Sequence, residues 1–193
     1  MVLGDRVGAW RSWHENGTQS KEGGFEAGKG NGKWKFWHEN GKPSREGDLA
    51  DNEKSGPWTF WHKNGQKREE CTFERDRRAG KSSTWHESGQ KKSEGEYAAG
   101  KRVGKWTFWH ESGKKYKEGE FSAGKKTGKW TTWNESDQVV EEGEFADDRR
   151  HGHWIFRHDN GKKKAEGDFA AGEKTGKWKT WDEAGKPIPE KAD

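Results

Sequence analysis

Cysteine is nearly absent from this 193-residue chain. The lone thiol, Cys71, has no internal partner, so no disulfide framework can hold the fold, and a reducing compartment is favoured. The cytoplasm is therefore the expected location; a secreted or periplasmic one stays open where a leader has been removed. Long apolar runs are missing as well. The opening MVLGDRVGAW has no signal-like apolar core, and no stretch is long enough to cross a bilayer, which predicts a soluble chain without a transmembrane segment. Basic blocks are missing too. The 38 Lys and Arg are intermixed with 34 Asp and Glu to leave a net charge of +4, which excludes a phosphate-tracking arm and any specific nucleic-acid partner. Only 25% of residues are hydrophobic against 37% charged, too few for an ordinary layered core.

Such a composition would describe a disordered chain, were it not for 14 tryptophans. Each buried indole removes on the order of 200 Å² from water, so a few per segment replace many missing aliphatics. The fold is expected to be held by aromatics.

Those aromatics recur with a fixed period. Gly8, Gly32, Gly56, Gly80, Gly104, Gly128, Gly152 and Gly176 stand 24 residues apart without a single insertion. The units 8–31, 32–55, 56–79, 80–103, 104–127, 128–151 and 152–175 are complete and 176–193 is partial, with 1–7 reading as the tail of a preceding unit. Together they make one repeat domain. Counting from the opening glycine, the consensus is G-K-W-x-F-W-H-E-N-G-K-x-x-x-E-G-E-F-x-x-G-K-x-x. The fifteenth residue is glutamate throughout: Glu22, Glu46, Glu70, Glu94, Glu118, Glu142, Glu166 and Glu190.

Two turn signals divide each unit into two strands, and recurring glycine argues against helices. Asn-Gly or Ser-Gly, as at Asn16-Gly17 and Ser112-Gly113, fits a two-residue hairpin turn with positive φ. A second signal, Gly28, Asn52, Asp76, Gly100, Gly124, Asp148 and Gly172, uses residues that tolerate a left-handed backbone and marks the bend into the next unit. The fold class is all-β, an elongated tandem array of antiparallel hairpins forming a twisted single sheet or a β-solenoid. Position 3 should then face 16, 5 face 14, and 1 face 18. One face gathers the structural core: Trp10, Trp34, Trp58, Trp106, Trp130, Trp154 and Trp178, with Phe25, Phe73, Phe121, Phe145 and Phe169, and Leu49 in the unit of Trp34. An indole over an opposing glycine covers bare backbone.

The other face carries the candidate binding residues, the sixth-position stripe Trp13, Trp37, Trp61, Trp85, Trp109, Trp133 and Trp181, set among Glu, Lys, Thr and Ser. Two readings apply. Either the rings pack between units under Lys and Arg stems through cation–π contacts, or they form a row of ligand platforms. The seventh-position histidines His14, His38, His62, His86 and His110 raise the question of metal, but in a meander equivalent residues lie two strands apart, about 10 Å, too far to share an ion. Neither a metal nor another cofactor is expected. The glutamates appear in every unit alike, whereas active sites are singular constellations, so no catalytic residue and no enzyme is predicted. Position 15 is read as a partner for Lys or for a cross-strand hydrogen bond.

Two units are irregular. Ser82 replaces the third-position Trp, and Arg157 replaces the sixth-position Trp beside His151 and His153; drift in a redundant array accounts for both, a local groove being the alternative. Pro187 and Pro189 would stop further pairing, as in a terminal cap. A single layer leaves its aromatic face bare, so a cover is needed: the sheet's own curvature, a partner, or a second copy, which makes a homodimer an expectation.

On the residues GKWKFWHENGKPSREG (32–47), GKWTFWHESGKKYKEG (104–119) and HWIFRHDNGKKKAEG (153–167), the chain resembles the MORN repeat family, in the bacterial variant that includes YwqK-type antitoxin proteins. The resemblance implies successive hairpins, no catalysis, and protein binding or scaffolding, with lipid association in some members. Trp stands at the sixth position where such relatives often carry Tyr. The alternative is a carbohydrate, choline or cell-wall binding module with stacked Trp rings, although those repeats are shorter and lack the Asn-Gly turn.

Overall fold

A computed structural model describes residues 6–189. Glu190 and the outermost parts of the two partial units lie outside the described residues. The chain divides into two compact units between Lys101 and Arg102. The first contains β1 (Gly8–Trp13), β2 (Gln19–Glu26), β3 (Lys29–Trp37), β4 (Pro43–Ala50), β5 (Glu53–Trp61), β6 (Lys67–Glu74), β7 (Arg77–Trp85) and β8 (Lys91–Ala98). The second contains β9 (Lys101–Trp109) from Arg102 onward, β10 (Lys115–Ser122), β11 (Lys125–Trp133), β12 (Val139–Ala146), β13 (Arg149–Arg157), β14 (Lys163–Ala170), β15 (Glu173–Trp181) and β16 (Pro187–Ile188). Within each unit every strand pairs antiparallel with its chain neighbours, so each is a meander of hairpins rather than a coil of parallel rungs. No described residue is helical.

The expected cross-strand partners are those observed. Trp34 faces Gly47, Phe36 faces Arg45 and Gly32 faces Leu49, and the same pattern recurs at Trp154, Phe156 and Gly152. The two turns, however, exchange types. At the Asn-Gly loop the register slips by one residue, as between Phe36 and Trp37, and His38 N–H bonds to Lys42 O across a three-residue loop. Gly41 alone takes positive φ (77°) while Asn40 does not, which is a type I turn followed by a glycine bulge. The asparagine works through its side chain instead: Asn40 Oδ1 accepts from Lys42 N–H at 3.1 Å. The two-residue turn lies at the other end. Ala27 and Gly28, Asp51 and Asn52, and Asp147 and Asp148 all have both φ values positive, the backbone of a type I′ hairpin. Pro187, expected to end pairing, instead opens β16 opposite Trp181, at the first strand position where a missing N–H is tolerated.

The core forms between repeats rather than inside them. The indoles of Trp34, Trp58, Trp130 and Trp154 lie on the sixteenth-position glycine of the preceding repeat, so a Cβ on Gly23, Gly47, Gly119 or Gly143 would sit 2.2–2.3 Å from the ring. The ring also meets the preceding Phe edge-on, with centroids 5.0 Å apart for Phe145 and Trp154, and stacks on its own fifth-position Phe, 5.8 Å for Trp154 and Phe156. In three repeats the indole N–H donates to a backbone carbonyl of the preceding repeat: Trp58 to Asp48 O and Trp154 to Glu144 O, both at 3.0 Å, and Trp130 to Glu120 O at 3.2 Å. The N–H groups of Trp34 and Trp178 are buried without a partner, so ring size and stacking, common to all five, rather than this bond, account for tryptophan at this position.

Candidate ligand-binding surfaces

Loop chemistry ties the repeats together along one edge. Nε2 of His14, His38, His62, His110 and His158 lies 2.9–3.2 Å from the carbonyl oxygen of Trp37, Trp61, Trp85, Trp133 and Trp181 respectively. A carbonyl only accepts, so Nε2 carries the proton and donates. The histidine series is thus a ladder of repeat-to-repeat hydrogen bonds. Nδ2 of Asn16, Asn40, Asn64 and Asn160 adds a second rung to the carbonyls of Glu39, Lys63, Glu87 and Glu183. At the opposite edge, Asn52, Asp76 and Asp148 accept backbone N–H groups from Gly30, Lys54 and Lys126 through Oδ1. Gly28, Gly100, Gly124 and Gly172 hold the same turn position with a left-handed backbone and no side chain to make this link.

The sixth-position stripe lies on the face opposite the core. Trp13 is 60% exposed, and Trp37, Trp61, Trp85, Trp109, Trp133 and Trp181 are partly exposed. The twelfth-position lysine of one repeat reaches the ring of the next: Lys67 Nζ lies 5.2 Å from the Trp85 centroid, Lys115 5.0 Å from Trp133, and Lys163 5.5 Å from Trp181. The same lysines pair with glutamate three residues on, Lys115 with Glu118 at 3.1 Å and Lys163 with Glu166 at 2.6 Å, while Lys129 crosses to Glu142 at 3.3 Å. The fifteenth-position glutamates are therefore held in ion pairs. Burial raises the Glu118 carboxyl, but Lys105 and Lys115 outweigh it and hold the group below the usual carboxylate range. The guanidinium of Arg157 does the same for Glu142, and Lys163 for Glu166.

At both irregular places a residue of the preceding repeat departs from the consensus as well. Where Ser82 replaces tryptophan, the preceding repeat carries Cys71 in place of glycine, directly opposite it. The sulfur occupies space an indole would need, packed with Trp58, Phe60 and Phe73. Burial pushes the Cys71 thiol up to about 12, so it is a filler and not a nucleophile. Where Arg157 replaces tryptophan, the preceding repeat has Val139 instead of the twelfth-position lysine. Arg157 Nη1 then takes over the glutamate, 2.7 Å from Glu142 Oε1.

On the core face, Trp34, Trp58, Trp106, Trp130 and Trp154 are 1–4% exposed within one chain, and Phe73, Phe121 and Phe169 are buried; Trp10, Phe25, Phe145 and Trp178 are half-buried. The rings of the aromatic face are largely covered within one chain. From Trp58 onward the cover includes a row of cations at the twenty-third position, which sequence reasoning missed; Trp34, with Gly30 at that place, is buried without one. Lys54, Arg102, Lys126, Arg150 and Lys174 lie 4.2–5.7 Å from the centroids of Trp58, Trp106, Trp130, Trp154 and Trp178. Arg78, which has no tryptophan to cover, turns to Glu69 in a bidentate pair at 2.8 and 3.1 Å. The signal was a Lys or Arg recurring every 24 residues, but only the register across the type I′ turn puts that position opposite Phe, as Lys126 is opposite Phe121.

Among the described residues no group of three or more His, Cys, Asp or Glu could hold a metal ion, and no helix is long and apolar enough to cross a membrane. No curated protein sequence matches the chain. Residues 31–49, 54–75, 78–99, 102–123, 126–147 and 150–171 match the profile of the MORN repeat variant, six times in tandem.

Proposed function

The chain belongs to the MORN repeat variant family, and from that premise we propose that it is a non-catalytic binding protein whose sixth-position tryptophan stripe docks a protein partner. The carrying observation is the state of those rings. Each is partly exposed, yet Lys67, Lys115 and Lys163 hold the rings of Trp85, Trp133 and Trp181 through cation–π contacts. Rings fixed before contact lose little side-chain entropy on binding, and tryptophan is among the residue types enriched at protein-binding hot spots. A scaffold or an antitoxin-like role would both use such a surface. The chain immobilised and exposed to native lysate should capture a stoichiometric protein, and the variant Trp61→Ala/Trp85→Ala/Trp133→Ala should release it while circular dichroism shows the strands retained. Capture undiminished in the variant would contradict the reading. Titration with choline, chitin oligomers or peptidoglycan fragments separates the rival: a saturable quench of tryptophan fluorescence abolished by Trp133→Ala would replace the protein partner with a cell-wall ligand.

A further inference from the structure

The cation row of the second unit carries more positive charge than the aromatic cover requires. Arg102, Lys126, Arg150 and Lys174 occupy the same position in four successive repeats, each over an indole; a cation–π contact leaves the charges of Arg102, Lys126 and Lys174 unneutralised, while Arg150 is also ion-paired with Glu141. Lys117 joins them on this face, opposite Phe108. The carboxylates are few. Glu141 pairs with Arg150 at 2.5 Å, and Asp148 at the rim accepts the Lys126 backbone N–H. Burial lowers the Lys126 ammonium below its ordinary range, and its neighbours Lys117 and Arg150 push the same way against Asp148 and Glu141, as crowded like charges must. The opposite face is different in kind, since its lysines are matched with glutamates. In the first unit the row is broken, because Gly30 stands where Lys54 and Arg78 stand later.

Spacing selects the ligand. Equivalent residues of successive hairpins stand two strands apart, about 10 Å. An extended β-strand cannot match this with one face, because its side chains alternate and its third residue points away. A polyproline II chain can: with three residues per turn and a rise of about 3.1 Å, every third side chain returns to the same side after about 9 Å. We propose that the core-side face of the second unit docks an acidic polypeptide segment in the polyproline II conformation, with a carboxylate at every third residue, laid across the strands along Arg102, Lys126, Arg150 and Lys174. The segment adds no strand to the sheet and displaces no aromatic. This face is distinct from the tryptophan stripe, so the two proposals stand or fall separately.

The test uses the full chain and two synthetic peptides of equal composition, one of repeated Glu-Pro-Pro triplets and one with its glutamates in a single block. The triplet peptide should bind about tenfold more tightly, a difference read by calorimetry at low salt and reduced as ionic strength rises. Lys126→Met/Lys174→Met keeps an apolar stem over each ring and should abolish the preference, whereas Lys125→Met/Lys177→Met removes equal charge elsewhere and should leave it intact. Equal affinity for the two peptides would overturn the spacing argument. So would a loss of the preference in both double variants, or tighter binding to phosphatidylserine vesicles than to the triplet peptide.

Discussion

Two junctions between repeats, one regular and one irregular, perform the same task with different residues. At Gly143 and Trp154 an indole lies on bare backbone, its N–H bonded to Glu144 O and its edge against Phe145. At Cys71 and Ser82 the indole is gone, and a thiol that is 5% exposed stands in the space beside Phe60 and Phe73. The strand pairing continues through both. The glycine is thus required by the tryptophan of the next repeat and not by the turn or strand that contains it, so the two positions can change only together. The other face follows no such rule: Trp37 and Trp61 persist although the preceding repeats carry Gln19 and Pro43 at the lysine position, and Arg157, preceded by Val139 there, reaches Glu142 instead.

The comparison can be broken most severely by deleting the ring. Trp154→Ala removes an indole 1% exposed together with contacts to Phe145, Phe156 and Phe169, and should cost about 3–5 kcal/mol in chemical denaturation. Ser82→Ala at the irregular junction should cost far less. Next comes the same pair of residue types exchanged in opposite directions. Gly143→Cys places a Cβ where the Trp154 ring lies and should cost about 1–3 kcal/mol through overpacking, while Cys71→Gly opens only a small void and should cost about 1 kcal/mol. Equal costs at the two sites would mean that the ring does not determine the glycine.

The smallest effect is electrostatic and belongs to the regular repeats. Glu118, Glu142 and Glu166 have folded-state carboxyls below the ordinary value of 4.5, through Lys105 and Lys115 acting against burial, Arg157, and Lys163 respectively. A depressed carboxyl binds fewer protons folded than unfolded. Its stabilisation is therefore present above the unfolded pKa and is lost as pH falls through the folded one. Melting temperature should accordingly be flat near neutrality and decline below about pH 4.5, and Glu166→Gln should make that decline shallower.

Much of this architecture is legible in the letters because the period never slips. The 24-residue recurrence fixes two strands per repeat, and the facing pairs, Trp34 with Gly47 and Phe36 with Arg45, follow from one hairpin loop. The loop type is harder to read. Asn-Gly suits both a two-residue turn and a three-residue loop ending in a bulge; only the backbone angles separate them, and they assign the paired positive φ values to residues such as Ala27 and Asp51 instead. The direction in which each indole leans is also hidden. Strand pairing places Trp34 opposite Gly47, while its ring lies on Gly23 of the repeat before, and this reach between repeats is what seals the core without a second layer. The cation row depends on the second turn and was lost with it. Without those cations the aromatic face looks bare, and the homodimer expectation rests on that appearance.

The central claim is that a third-position tryptophan and a preceding glycine form one unit of packing. A double-mutant cycle at the irregular junction tests it directly, because there the unit can be built anew. Ser82→Trp alone should destabilise the chain against Cys71, and Ser82→Trp with Cys71→Gly should recover at least the original stability, a coupling of about 1–3 kcal/mol in denaturant unfolding. Additive costs, with the double variant less stable than either single one, would contradict the account.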